Sequence, residues 1–372
     1  MLDKLLFRSL PAIAGVMLLM GTAGAVEIET VPVGNTGNTG EWAGESYGGY
    51  SPDRICGAVS YAYNIGKYEV TAGQYTEFLN AVDPKGQNTN GLYNSSMNSH
   101  THGCQITWNS DSSTYDFSGT PSGAASNWRD RPVNYVSWYD AAMFANWMTS
   151  GDVNEGAYDT GPGTGWGNYS ASNYTGITAH DSPEMDALVA TYGKVWVIPT
   201  EDEWYKAAYH KNDGDTGNYF NYPTSSNTPP GYVDDDGELS GTSTAFADGV
   251  TDPGNYATYD GDGVTDGIGS PYYRTEVGEW ENSASPYGTF DQGGNVREWN
   301  EAILYSSFRG ARGGSYTYDF DDLRALDRSG GGMADNIHVG FRLASIPEPG
   351  SITLLVCGAL GLLAYRRRRR KC

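Results

Sequence analysis

The sequence predicts a loop-rich domain packed on aromatic side chains, with a few short helices and strands, rather than a helical bundle. Three observations carry this. The 372 residues include 50 glycines and 28 tyrosines. Long apolar runs are few between residues 26 and 346. The segments 84–130 and 149–182 are rich in Gly, Ser, Asn and Thr, and read as long surface loops or insertions. Roughly 320 residues between the two ends suffice for one large domain or two, and no internal repeat is evident.

The elements follow in order. Thr71 caps a helix in which Tyr75, Phe78, Leu79 and Val82 recur at i, i+3, i+4 and i+7. Ser137-Trp138-Tyr139-Asp140 resembles a capping box with Asp in place of Glu, and opens a helix that buries Ala141, Phe144, Ala145 and Met148. Pro183 to Tyr192 reads as a further helix, and Lys194 to Ile198 alternates weakly as a short strand. Thr200-Glu201-Asp202-Glu203 is a full S/T-x-x-E box ahead of Trp204, Ala207 and Ala208.

The ends carry separate signals. Residues 1–25 have the parts of a signal peptide: Lys4 and Arg8, an apolar stretch from Pro11 to Met20, and the small-residue site Ala23-Gly24-Ala25. A buried N-terminal helix is the alternative. Residues 347–372 hold Pro347-Glu348-Pro349-Gly350, an apolar run from Ile352 to Tyr365, then Arg366 to Arg370 and Lys371. That run is shorter than the ~20 residues of a full span, and the arginines orient it with the rest of the chain outside. The order of parts resembles the PEP-CTERM sorting signal of Gram-negative bacteria. The resemblance implies an exosortase-type partner, a C-terminal transmembrane anchor before sorting, and a destination at the cell envelope. An ordinary tail anchor is the alternative.

Between these ends lie 15 basic and 43 acidic residues, a net charge of −28. Such a surface repels phosphate backbones and argues against nucleic acid as a partner. Cys357 and Cys372 fall in the anchor and beyond it, so only Cys56 and Cys104 share the exported compartment. An oxidising compartment permits a disulfide between them, which the sequence leaves open.

Six blocks then recur in a recognisable order: Lys67 to Thr71, Arg131 to Ala141, Ile198 to Trp204, Gly294 to Trp299, Arg312 to Tyr316, and Gly340-Phe341-Arg342. Together they resemble the formylglycine-generating enzyme, or sulfatase-modifying factor, family. The resemblance implies one α+β domain over residues 26–346, a C-type-lectin-like formylglycine-generating-enzyme fold that is loop-rich, with few short helices and strands. It also implies calcium-binding loops. The family enzymes oxidise a sulfatase cysteine with two thiols, copper and oxygen. Those thiols follow the Arg-Gly-Gly-Ser motif, where this chain has Tyr318 and Leu323. Neither side chain offers a thiolate to Cu(I), so copper oxidase chemistry is not expected. The histidines show no metal-ligand cluster, and His100 and His102 read as solvated loop residues.

The resemblance places calcium on Asp291, Gly294, Val296 and Glu298, where two carboxylates and two carbonyls in a tight turn suit a hard cation. A plain turn with solvated acids is the alternative. A second calcium loop is expected at Asn255 and Tyr256. There the sequence supplies Asp260, Asp262 and Asp266, alternating with glycines, against the alternative of a solvated acidic loop. The family pocket lies beside Arg312 and Ser315. Arg297, Tyr316, Tyr318, Arg342 and Phe308 are candidate lining for a peptide or sugar groove; core aromatics and structural ion pairs are the alternative. The expectation is an exported, envelope-anchored binding or matrix module stiffened by calcium, with a polysaccharide or peptide ligand. The rival is an oxidase or other enzyme acting on sulfatases or envelope substrates.

Overall fold

A computed structural model describes residues 26–49, 51–118, 128–160, 179–233, 239–240, 252–264, 266–305, 308–331 and 336–347. In chain order the elements are β1 (Thr30–Val33), β2 (Glu41–Ala43), β3 (Arg54–Cys56), β4 (Tyr63–Gly66), α1 (Ala72–Val82), α2 (Ser96–Ser99), β5 (Ile106–Asn109), β6 (Thr114–Phe117), α3 (Trp138–Ser150), α4 (Pro183–Tyr192), β7 (Lys194–Val197), α5 (Glu201–Tyr209), β8 (Arg297–Leu304), β9 (Phe308–Arg312), β10 (Ser329–Gly331), β11 (Val339–Gly340) and β12 (Ala344–Pro347). The architecture is mixed α+β and loop-rich.

The helices begin where their caps dictate. Thr71 Oγ1 accepts from the Gln74 amide while Gln74 Oε1 accepts from the Thr71 amide. The same reciprocal pair joins Ser137 to Asp140 at α3 and Thr200 to Glu203 at α5. Each cap satisfies donors that a helix start leaves orphaned, for about 1 kcal/mol. Helix α3 stops at Gly151, whose φ of 86° closes the last turn in the left-handed region.

Two four-stranded sheets organise the rest. One has the order β1-β4-β12-β7 and gathers strands from both ends of the described chain. Thr30 pairs with Gly66, Ala344 with both Ile65 and Val197, and Pro347 with Lys194. Pro347, which the sequence places in the sorting motif, is thus the last rung of β12. The other sheet has the order β10-β9-β8-β11, in which β8 and β9 form a hairpin with an irregularity between Trp299 and Ile303, and β11 runs parallel to β8.

The segment 84–130 differs from the expected long loop. It holds α2 and a hairpin in which β5 pairs with β6, Ile106 opposite Phe117 and Asn109 opposite Thr114. The Trp108 and Tyr115 rings face each other across it at 5.0 Å. The core is aromatic, as expected. Tyr75 and Phe78 of α1 meet Phe144 and Trp147 of α3, and Phe341 closes on Phe144 at 5.4 Å. Such edge-to-face pairs add about 0.5–1.5 kcal/mol each beyond burial. Among the described residues no helix is long and apolar enough to cross a membrane. Residues 1–25, expected as a signal peptide, and the apolar run 352–365 lie outside the described residues.

Candidate functional site

Buried arginine–carboxylate pairs frame the site. Glu201, from the capping box of α5, receives three guanidinium groups: Arg312 at 2.8 Å, Arg328 at 2.7 Å and Arg54 at 2.9 Å. Burial alone would raise its pKa; the three arginines outweigh that and hold it far below the usual carboxylate range. Arg342 is fully buried and grips Glu298 through both oxygens. Ser315 is also interior, its hydroxyl paired with that of Thr317. Arg312, Arg342 and Ser315 therefore build the frame and do not line an open groove. Phe308 is exposed but sits at the far end of the β8–β9 hairpin, opposite Leu304, while Arg312 pairs with Glu298 at the near end.

The turn from Asp291 to Glu298 gathers a surplus of negative charge. Asp291 has a φ of 59°, and Gly294 a φ of 91° with the Thr258 carbonyl where a Cβ would stand, so only glycine fits there. Asp291 Oδ2 accepts from the Gly278 amide. Glu298 accepts from the Trp204 indole as well as Arg342. Glu69 faces the same turn and accepts from the Val296 amide and the Asn295 side chain. Burial lifts Asp291 to about 6, with Glu298 adding repulsion. Burial, then Asp291 and Glu298, push Glu69 well above its ordinary value. Of these three carboxylates only Glu298 bonds Arg342, so the turn holds more buried carboxylate than its one guanidinium pairs.

The second expected calcium set is spread over different neighbours. Asn255 exchanges hydrogen bonds with Thr224, Thr228 and Pro229. Tyr256 is buried, stacked on Trp280 and tied to Ser240 and Ser283. Asp260 and Asp262 accept from amides of their own turn, Gly263 and Val264. Asp266 faces the His102 ring at 3.9 Å. Among the described residues no three His, Cys, Asp or Glu side chains converge as a metal site.

Tyr318 anchors a different surface. The Arg297 guanidinium lies 4.3 Å from its ring centroid, and the His338 ring 5.1 Å from it. Arg297 is fixed by Asp322 at 2.6 Å, with Asp327 at 4.0 Å. Burial raises Asp327 to about 7. His338 pairs with the Thr317 hydroxyl, and burial, then Arg297, lower it to about 4, which keeps it neutral. From there the band continues through buried Tyr316, whose hydroxyl meets His102 Nδ1 at 3.1 Å, to Tyr273, stacked on His102 at 3.9 Å. His100 and Tyr135 complete it. Tyr135 and Tyr273 both hold positive φ, 57° and 62°, a costly conformation for an aromatic residue and one that concentrates at functional sites.

The sequence reaches only part of this band. Arg297, Tyr316 and Tyr318 belong to it. His102 is half-buried among rings, in contrast to the solvated residue expected. His338, Tyr135 and the adjacent Tyr273 and Arg274, the last with its guanidinium over Tyr316 at 5.2 Å, come from three stretches far apart in the sequence. Leu323 is fully buried with Tyr222, Ala257 and Tyr259. Cys56 and Cys104 are free thiols in separate apolar clusters, so the disulfide that the sequence permits is not formed. Burial raises both, Cys56 to about 11.

No curated protein matches the chain. Among solved structures, Treponema denticola variable protein 1 is similar at 20% identity and a TM-score of 0.46, over 88% of this chain and 98% of that one. CarF is similar at 19% identity and 0.43, over 86% and 98%. PvdO from Pseudomonas aeruginosa is similar at 16% and 0.42, over 85% and 93%. The profile of the FGE-sulfatase family, the Sulfatase-modifying factor enzyme 1-like domain, matches residues 51–346, and the chain belongs to that family.

Proposed function

We propose that this protein is an exported binding module on the sulfatase-modifying-factor scaffold, stiffened by calcium at the Asp291–Glu298 turn and without copper oxidase activity. One observation carries the reading. The two positions where the family enzymes hold copper through sulfur bear Tyr318, covered by Arg297, and Leu323, packed in an apolar cluster. A phenol under a guanidinium and an aliphatic core residue supply no soft ligand. They leave instead an aromatic, hydrogen-bonding surface suited to a peptide or a polysaccharide of the envelope. The two terminal segments support export and handover to an exosortase-type enzyme. The test is binding to glycan and peptide arrays in calcium and in EGTA, with Tyr318→Ala and Arg297→Ala as controls. Calcium-dependent binding weakened by both substitutions supports the reading. Binding indifferent to both removes it.

A further inference from the structure

Arg297 serves two carboxylates at unequal range. Its Nη2 lies 2.6 Å from Asp322 and 4.0 Å from Asp327. Asp327 is buried, and neither of its carboxylate oxygens has a hydrogen-bond partner. The Nε of Arg297 is likewise buried and unpaired. A buried carboxylate without hydrogen bonds is costly when ionised and far less so when protonated. The arrangement therefore suits a neutral Asp327, with Arg297 left to Asp322. Burial lifts Asp327 to about 7 against the pull of Arg297, and Asp322 adds repulsion.

The other charged groups around Asp327 are committed elsewhere. Arg312 is spent on Glu201 and gives its Nη1 to the Asp327 main-chain carbonyl. Arg328 holds Glu201 through two nitrogens. Arg324 pairs with Asp321 at 3.3 Å. The Tyr209 hydroxyl donates to the Leu323 carbonyl, and His338, on the other side of Tyr318, stays neutral. Among the described residues Arg297 is the only cation within 4.0 Å of the Asp327 carboxylate. A shift of about 1 Å would turn that approach into a charge-assisted hydrogen bond. The same guanidinium lies over the Tyr318 ring, 4.3 Å from its centroid, so it cannot shift without changing how that ring is covered.

We infer that Asp327 is a pH switch beneath the Tyr318 surface: its ionisation draws Arg297 from Asp322 to Asp327 and resets the cover of the ring. At acid pH Arg297 stays on Asp322; as pH rises and Asp327 loses its proton, the guanidinium moves inward. The switch itself needs no ligand. Its effect on binding rests on the reading of the Tyr318 surface as the binding site.

The test is NMR of the purified protein without ligand, following arginine Nε–Hε and aspartate carboxyl signals from about pH 5 to 9. Arg297→Lys and Asp327→Asn identify the two signals by their loss. The Asp327 carboxyl should titrate near 7. The Arg297 signal should move with the same midpoint, and should stay flat through that range in Asp327→Asn. Asp322→Asn removes both the competitor for Arg297 and a source of repulsion, and should lower the Asp327 midpoint by about one unit. If Asp327→Asn does not fold, the wild-type titration and Asp322→Asn decide. The inference is overturned if the Arg297 signal does not follow the Asp327 titration, if its movement persists in Asp327→Asn, or if Asp322→Asn leaves the midpoint in place. Since no ligand is present, these results stand apart from the array experiment.

Discussion

Arg342 and Glu298 form a fully buried, two-pronged ion pair, 2.5 and 2.6 Å between nitrogen and oxygen. The same guanidinium donates to the Gly66 and Phe290 carbonyls, so one side chain ties β4, the turn before Asp291 and β8 together. Arg342→Leu leaves Glu298 charged in the interior without its partner. The expected loss is about 3–5 kcal/mol of folding stability, read from the midpoint of guanidinium unfolding.

The Asp291 turn should make stability depend on both pH and calcium. Asp291 is raised from 3.8 to about 6, so the folded state holds its proton more tightly than the unfolded chain. Stability is then greatest below the unfolded value and falls as pH rises through about 4 to 6, by the order of 3 kcal/mol for this group. Glu69 shifts in the same direction and adds to the fall. In EGTA the melting temperature should drop across this window. In millimolar calcium the drop should be reduced, because the cation favours the ionised carboxylates. Curves that coincide would remove calcium from this turn.

The three arginines on Glu201 should differ in weight. Arg54 is 40% exposed at its side chain and Arg328 is 4% exposed. Arg54→Ala should cost about 1 kcal/mol or less, as solvent-screened pairs do. Arg328→Ala strips a buried carboxylate of a two-pronged partner and should cost about 3 kcal/mol or more. Urea unfolding of the two variants side by side checks the order.

Cys56 and Cys104 should both be slow to react with iodoacetamide in the folded protein, since burial shuts out the reagent and disfavours the thiolate. Both should label fully in guanidinium without reductant. Peptide mapping that finds them oxidised to each other would contradict the free-thiol arrangement.

The parts legible in the sequence are those with local causes. Thr71, Ser137 and Thr200 announce their helices because a cap and its partner lie three residues apart. Of the sheet strands only β7 is legible, through the weak alternation from Lys194 to Ile198. Strand β12 pairs with β4 and β7, which lie far upstream in the chain, and most of the other strands are too short for alternation to stand out. The β5–β6 hairpin is hidden for the same reason, within a polar stretch. Arg312 and Arg342 illustrate the limit at the site. Their motif positions are plain, but only the fold shows that Glu201 and Glu298 consume them. His102, Tyr273 and His338 meet Tyr316 and Tyr318 through long-range packing, for which no spacing rule exists.

The most direct test is an oxidation assay. The purified protein, loaded with copper and supplied with oxygen and a sulfatase-derived cysteine peptide, should leave that cysteine unconverted by mass spectrometry, because Tyr318 and Leu323 cannot bind copper as a thiol pair does. Formation of the formylglycine aldehyde above a copper-only control would contradict the binding-module assignment.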